Sequence, residues 1–443
     1  MSVAVAAESI GAAGARALGQ GAVRLDGAIA HYGNVAGEYR ALCAGRALVD
    51  LGHMEVLTVS GPDRLSWLTT LSTQDVRALA PGQSRELLIL DPNGRVEHAA
   101  FVLDDATATY LVLDAGRAAA CADFLASMRF MLRVEVEARP DLRAVGAALH
   151  LDFVADVAAG VAAGVAAGVA EVAAGVAAGV ADVAASAPVG VAGGGEAGAG
   201  TGERLRLALR ALLERATGSS LVWVDPWPGP DPRSATYYAG AHPGEQSAVG
   251  LALVGAATPA ADLLAAGLAP AGFLAWEALR VERWRPRLGR EVDERCVPHE
   301  LDWLRSAVHL DKGCYRGQEA VARIVNLGRP PRRLAFLHLD GGEEVLPAPG
   351  SPVLPGSGDA ASARPVGAVT SAVLHPELGP VALAMLKRSV AIDSELLVRA
   401  QVPTEGGEEV VVDVPATQEE IVNPEGKSSA SPAQRPGAEL RGR

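Results

Sequence analysis

The chain has 443 residues, of which 52 are acidic and 39 are basic, and its formal net charge is −13. This length predicts two or three domains with a sizeable core, and the acidic balance argues against a general nucleic-acid-binding surface, which is normally basic. The four cysteines, at positions 43, 121, 296 and 314, form no C-x-x-C pair and no recognisable disulfide framework, so the predicted compartment is a reducing cytoplasm.

Three segments are predicted to lie outside the folded units. Residues 1–28 are rich in alanine without the basic start and apolar core of a signal peptide, and we expect a mobile leader. Residues 151–202 repeat Val-Ala-Ala-Gly, and each internal glycine costs a helix about 1 kcal/mol relative to alanine. The longest uncharged run there is shorter than the roughly 20 residues that span a bilayer, so we expect a low-complexity insertion ending in a flexible linker. Residues 404–443 are acidic and then rich in Ser, Pro and Gly, which is typical of a disordered tail.

The first folded unit is expected over residues 29–150. Residues 56–59 have the composition of a strand, and Ser60 is the predicted cap of the helix that follows. The turn residues Asp91–Gly94 separate two apolar runs and predict a hairpin. Residues 134–138 alternate apolar and charged side chains, as a half-exposed strand does. Strands and helices mix without a regular βαβ order, so the fold class is α+β.

A second unit is expected over residues 203–330 and a third over residues 331–403. Residues 203–217 carry leucines at helical spacing and end at Gly218, which favours a helix with a glycine cap. Short apolar runs separated by Pro and Gly fill the third unit and predict a small C-terminal antiparallel β-barrel.

The segment His309–Arg333 is the main candidate for a reactive site, because it contains Cys314 between Lys312 and Arg316. Nearby cations or a helix N-terminus lower the pKa of a thiol and populate the nucleophilic, metal-binding thiolate. Apolar residues follow helical spacing from Gln318 onward, which places Cys314 in a turn before a short helix. A half-buried structural cysteine in a basic loop explains the same residues, since free cysteine is among the most buried residue types.

Residues 312–319 read Lys-Gly-Cys-Tyr-Arg-Gly-Gln-Glu. This octapeptide resembles the K-G-C-Y-x-G-Q-E motif of the YgfZ family, folate-binding proteins related to the glycine-cleavage T protein. The resemblance implies a T-protein-like multi-unit α/β folate-binding domain, with tetrahydrofolate in a central cleft. It also implies support of iron–sulfur cluster assembly or repair in client enzymes, including tRNA-modifying ones. In this interpretation Cys314 faces the cleft and is activated by Lys312, while Tyr315 and Arg316 contact the cofactor.

A second constellation surrounds Glu282, in a segment that resembles the part of the T protein in which a glutamate binds the pterin ring. A pterin presents a ring N–H beside an exocyclic amine, and one carboxylate accepts hydrogen bonds from both. The resemblance therefore implies that Glu282 holds tetrahydrofolate. From the residues alone, a surface ion pair of Glu282 with Arg280 or Arg283 is the alternative.

The alternative function is that of an aminomethyltransferase of the glycine cleavage system using tetrahydrofolate. T proteins place two aspartates after Gly-Gly in the hairpin, and the ungapped match here puts His98 and Ala99 at the pair. Glu97 would reach that place only through a one-residue shift, which turns a side chain to the other face of a strand. T proteins also lack the Cys314 octapeptide. A folate-dependent demethylase with a dinucleotide domain is disfavoured because no G-x-G-x-x-G follows a predicted strand.

The expected partners are folate and iron–sulfur client or assembly proteins. We expect no membrane association and no resident metal site. Direct nucleic-acid binding is not favoured by the charge. A local basic groove is still compatible with the acidic net charge. The candidate residues of such a groove are Arg316, Arg323, Arg329, Arg332 and Arg333.

Overall fold

The computed structural model describes residues 23–25, 28–153, 197–227, 229, 233–258, 262–263, 267–343, 345–357, 362–403, 409–424 and 427–432. Most of the predicted leader and of the Val/Ala/Gly insertion lies outside the described residues. Within them, no helix is long and apolar enough to cross a membrane.

Seven α-helices are defined in the described part of the chain. They are α1 Val35–Cys43, α2 Arg64–Leu71, α3 Ala118–Ser127, α4 Ala197–Thr217, α5 Phe273–Glu282, α6 Leu304–Ala307 and α7 Gln318–Leu327. Helix α4 begins within the predicted linker, because a helix propagates more easily than it nucleates. Helix α2 begins after Asp63, so the prediction that Ser60 caps it was wrong. Ser60 ends a strand, and Gly61, at φ +101°, turns the chain before the helix.

The first half of the chain contributes most of two sheets. The strands in order are β1 Val23–Leu25, β2 Ala28–His31, β3 Ala47–Asp50, β4 Glu55–Ser60, β5 Arg85–Leu90, β6 Val96–Asp104, β7 Ala108–Leu113, β8 Glu135–Ala138 and β9 Leu142–His150. A five-stranded antiparallel sheet has the order β5-β6-β7-β4-β8, with α2 and α3 packed on its apolar face. The hairpin predicted at Asp91–Gly94 is the β5–β6 connection.

The second half completes the other sheet and forms the barrel. Its strands are β10 Val222–Val224, β11 Ser247–Gly255, β12 Ala269–Ala271, β13 Arg332–Leu339, β14 Pro352–Pro355, β15 Gly367–His375, β16 Gly379–Lys387, β17 Leu396–Pro403 and β18 Glu409–Glu420. The second five-stranded sheet has the order β10-β11-β9-β3-β12, and α4 covers one face of it. The barrel closes in the order β13-β16-β15-β14-β17-β18. The fold is therefore α+β with a C-terminal antiparallel barrel, as the sequence predicts.

Strand β18 contradicts the prediction that residues 404–443 form a disordered tail. Glu409–Glu420 pairs with both β13 and β17, and Val414 and Ala416 point into the barrel core. The acidic composition suggested a solvated segment, yet Glu409, Asp413 and Glu419 alternate with the buried positions 414 and 416 and so point outward. The barrel thus extends beyond its predicted end at residue 403. Likewise, β1 begins inside the predicted leader.

Helix α5 connects the three units. It packs against α1, against β15 of the barrel and against β3 of the second sheet. Its apolar residues join a core cluster to which all parts contribute, including Tyr39, Trp223 and Leu383. This shared core places the hairpin turn Asp91–Gly94 against the start of α7. A Cβ atom on Gly317, whose φ is +82°, would lie 2.6 Å from the carbonyl oxygen of Asp91.

Gly317→Ala should therefore lower the free energy of unfolding by about 2 kcal/mol, because the substitution combines a left-handed backbone with a steric clash. Urea denaturation followed by circular dichroism measures the change. Gly313→Ala is the matched control in the same loop. Gly313 is outside the left-handed region and a Cβ there would have no atom within 4 Å, so its effect should stay within about 0.5 kcal/mol. Equal losses in both variants would contradict the packing argument.

Candidate functional site

Cys314 lies in the loop that precedes α7, as predicted. It is the one exposed cysteine of the four, and no disulfide involves any of them. Burial raises the pKa of both the Cys43 and the Cys121 thiol to about 12 and raises that of Cys296 well above its usual value. These three thiols stay protonated near neutral pH, so thiol chemistry toward other molecules is available at Cys314.

Lys312 does not contact Cys314 in this structure. Its side chain is buried, and its Nζ donates hydrogen bonds to the carbonyl oxygens of Thr69 and Ser72 at the C-terminal end of α2. The ammonium lies 4.7 Å from the centre of the Tyr315 ring. Burial lowers the pKa of Lys312 to about 8. A cation at a helix C-terminus stabilises the helix dipole, so this geometry gives Lys312 an anchoring role. The predicted activation of the thiol stays a prediction.

Tyr315 and Arg316 also hold the loop to the rest of the protein. The Tyr315 side chain is buried in the shared core, and burial raises the pKa of its hydroxyl. Arg316 donates to the Glu97 carboxylate at 2.7 Å and lies over the Phe124 ring. Neither residue lines the central cavity described below. The octapeptide thus uses three side chains as anchors and leaves Cys314 at the surface.

The central cavity lies between α5, β6 and β10. Its volume is about 60 Å³. Phe101 and Trp223 stack across it with ring centres 4.0 Å apart, and Phe273 and Trp276 complete the aromatic lining. Cys314 and Glu282 do not line it, and the prediction that Cys314 faces a folate cleft stays a prediction.

Four arginines line the same cavity, each paired with carboxylates. The pairs are Arg280 with Glu277 and Glu291, Arg283 with Asp225, Arg285 with Glu86 and Asp225, and Arg287 with Asp114 and Glu277. Burial raises the pKa of Glu277, but Arg280 and Arg287 outweigh this and bring it to about 2. Several buried N–H groups on Arg283 and Arg285, and Nδ1 of His53, have no partner among the described residues. Sequence reasoning missed this cluster, although arginines at the alternate positions 283, 285 and 287 were a visible signal.

Glu282 lies at the C-terminal end of α5, outside the cavity. Its carboxylate accepts a hydrogen bond from the Tyr39 hydroxyl at 2.7 Å and lies 3.3 Å from Nε2 of His375 in the barrel. Burial raises the pKa of Glu282, but these two neighbours lower it further than burial raises it. The carboxylate therefore joins α1 to the barrel, and it forms no ion pair with Arg280 or Arg283. The predicted pterin contact stays a prediction.

The residues around the cavity do not fit tetrahydrofolate in the geometry that the sequence suggested. Sites for ligands of this size have volumes of about 300–1,000 Å³, several times that of the cavity. Glu282, the residue predicted to bind the pterin, is not part of the lining of the cavity. Among the described residues, no group of three or more His, Cys, Asp or Glu side chains is arranged to hold a metal ion.

The strand β6 places the hairpin residues on two faces. Ala99 packs against the shared core and lies on the same face as Phe101 of the cavity, whereas His98 is buried on the other face, beside Phe124. Burial lowers the pKa of His98. Of the two residues, the one on the face of Phe101 thus carries only a methyl group, and neither His98 nor Ala99 lines the cavity.

Comparison with known proteins supports the predicted T-protein-like fold. A family model described as the GCVT N-terminal domain matches residues 27–144. The crystal structure of the glycine cleavage system aminomethyltransferase T from Bartonella henselae superposes with a TM-score of 0.58 and 18% sequence identity, over 91% of this chain and 94% of that one. The predicted T-protein-like fold is therefore confirmed.

The names of two sequence relatives describe different functions of those proteins. An aminomethyltransferase of Synechococcus sp. is 26% identical over 368 residues, which are 82% of this chain and 85% of that relative. A mitochondrial iron–sulfur cluster assembly factor IBA57 homologue of Cryptococcus neoformans is 41% identical over 69 residues, 16% of this chain and 18% of that relative. The chain matches less than a third of the length of its relatives at 36% identity or more.

Labelling of the native protein with iodoacetamide should modify one thiol out of four, and the other three should react only after unfolding, because they are buried. Lys312→Met should lower the free energy of unfolding by about 1–3 kcal/mol through the loss of its hydrogen bonds to Thr69 and Ser72, while the labelling rate of Cys314 changes less than about twofold. Mass spectrometry of labelled peptides measures both stoichiometry and rate. Cys314→Ser, with no labelling in the native state, is the control. A large fall in rate for Lys312→Met would show that the lysine activates the thiol.

Proposed function

We propose that this protein supports the assembly or repair of iron–sulfur clusters in client enzymes, including tRNA-modifying ones, with Cys314 as its functional thiol. The observation that carries the proposal is the exposure of Cys314, since it alone of the four cysteines is available to another molecule. The similarity of part of the chain to an iron–sulfur cluster assembly factor supports the same function.

The position of Cys314 favours chemistry with a partner protein over chemistry with a small molecule in the cavity. Its loop lies at the surface, and the side chains of Lys312, Tyr315 and Arg316 fix it to other elements. The thiol of such a fixed loop can lose its proton to solvent, and the resulting thiolate can then donate an electron pair to an iron of a cluster held by a client, displacing a water from that iron. A transient covalent adduct with a partner needs the same exposure.

Aminomethyl transfer is the second candidate, because the fold is that of an aminomethyltransferase and a relative with this name aligns along most of the chain. Its reaction needs an acid beside the substrate amine. Ala99 lies on the same face of β6 as Phe101 and supplies no acid. The acids that line the cavity are all paired with arginines: Asp114 lies 3.0 Å from Arg287, Asp225 lies 3.2 Å from Arg283, and Glu277 lies 2.9 Å from Arg280. The arrangement of the side chains therefore supports the iron–sulfur function better than the transferase.

Cys314→Ser should abolish complementation of a strain that lacks the corresponding gene, while leaving the thermal unfolding midpoint within about 2 °C, because an exposed side chain contributes little to stability. Growth dependent on an iron–sulfur enzyme measures function, and scanning calorimetry measures the midpoint. Cys121→Ala, which removes a buried thiol far from the loop in sequence, should retain function. Full complementation by Cys314→Ser would contradict the proposal.

Calorimetric titration of the wild-type protein with tetrahydrofolate should show no saturable binding at micromolar concentrations, because the closed cavity is too small for the ligand. Saturable binding would show that the Phe101–Trp223 stack opens. Two matched variants would then identify the carboxylate that contacts the ligand. From the lining of the cavity, Glu277→Gln should weaken such binding and Glu282→Gln should not.

A further inference from the structure

A wide groove runs along α7 on the side of the molecule that carries the Cys314 loop. Its volume is about 1050 Å³. One wall is α7 itself, and the β5–β6 turn contributes Pro92 and Asn93 to the rim. Arg388, which follows β16, and Lys427, which follows β18, complete the lining. Because α7 starts four residues after Cys314 and Glu319 lines the groove, the end of the groove at the start of α7 lies next to the thiol loop.

The groove is basic, although the chain as a whole has a net charge of −13. Among the residues that the structure describes, four cations line it, namely Arg323, Arg329, Arg388 and Lys427, against the single carboxylate of Glu319. Arg323 and Arg388 form no ion pair with any described carboxylate. A concave surface lined by one sign of charge concentrates ligands of the opposite sign, so the groove is suited to an anionic partner.

The other arginines of this segment do not contribute to the groove. Arg316 pairs with Glu97 at 2.7 Å, and Arg332 pairs with Asp293 and Glu300 at 2.6 and 2.9 Å. Arg333 is fully buried and donates to Gln418. The predicted set of five arginines is thus divided, and only Arg323 and Arg329 line the groove.

The lining also has an apolar part, which favours an anionic partner that carries apolar groups as well. Ala320 and Ile324 are four residues apart and form a ridge along α7, next to Pro92. A peptide with alternating acidic and apolar side chains matches both features. A nucleic acid would extend beyond the groove over a surface in which acids exceed bases, and its affinity depends on many phosphate contacts.

Residues 433–443 of the chain itself are not a suitable occupant. They contain Arg435, Arg441 and Arg443 but only one acid, Glu439. Their positive charge would be repelled by the groove. The complementary segment is therefore not this C-terminal stretch.

We propose that this groove binds an acidic, partly apolar peptide segment of the client protein and so places the client beside Cys314. This inference rests on the proposed function, in which Cys314 acts on a client. The ten residues of α7 extend about 15 Å, which an extended peptide covers with about five residues. Binding through charge should weaken with salt.

The test uses a fluorescein-labelled peptide of about eight residues that alternates Glu or Asp with Leu, and fluorescence anisotropy as the readout. The full-length wild-type protein should bind it with micromolar affinity at low ionic strength. The Arg323→Glu/Arg388→Glu double variant should bind at least tenfold more weakly, because two attractive charges become repulsive. Arg117→Glu/Arg129→Glu is the matched control, with the same change in net charge at exposed positions outside the groove, and it should bind as the wild type does.

Three results would overturn the proposal. Equal affinity of the two double variants would show that net charge alone drives binding. Tighter binding of a single-stranded RNA of the same charge, lost in the groove variant, would make the occupant a nucleic acid. Concentration-dependent dimerisation that the groove variant abolishes would make it a second copy of the chain. Cys314→Ser should bind the peptide normally, so failure of the thiol in complementation and failure of the groove in binding are separate outcomes.

Discussion

The surroundings of Cys314 depend on the close approach of two backbone segments, the hairpin turn Asp91–Gly94 and the first turn of α7. A Cβ atom on Gly94 would lie 2.8 Å from the Cβ of Ala320, and one on Gly317 would meet the Asp91 carbonyl. Glycine permits this approach because it has no side chain. The second glycine of the octapeptide is therefore explained by packing between the two halves of the chain. The position of the thiol is fixed by a turn more than 200 residues earlier in the sequence.

The buried arginines around the central cavity impose a second constraint. A charge taken out of water needs a partner, and removal of one member of a buried pair typically costs about 3–5 kcal/mol. Arg280, Arg283 and Arg285 are all buried and all paired. Glu86 lies in β5 of the first sheet, Asp225 follows β10 of the second, and Arg280 also donates to Ser371 of the barrel. The network therefore joins the three units. The same network occupies the space that a larger ligand would need.

Much of the fold could be predicted from local sequence, and much of the site could not. The hairpin at Asp91–Gly94 and the helix after Cys314 follow from turn residues and apolar spacing, which are local properties. The roles of Lys312 and Glu282 depend on partners 240 and 243 residues away in sequence, Ser72 and Tyr39. Strand β18 was missed for a related reason. Its acidic residues suggest solvation, and only its two neighbours in the barrel, β13 and β17, make it a strand.

The closure of the barrel by β18 has a consequence for biosynthesis. Strand β13 begins at Arg332 but pairs with residues 416–420, so one seam of the barrel cannot form until the ribosome has made almost the whole chain. Until then the edges of β13 and β17 remain unpaired, and exposed strand edges are templates for association between chains. Contacts between residues distant in sequence also slow folding. A nascent chain of this protein thus passes through a long interval with an open barrel, in which chaperone binding or premature termination would have their largest effects.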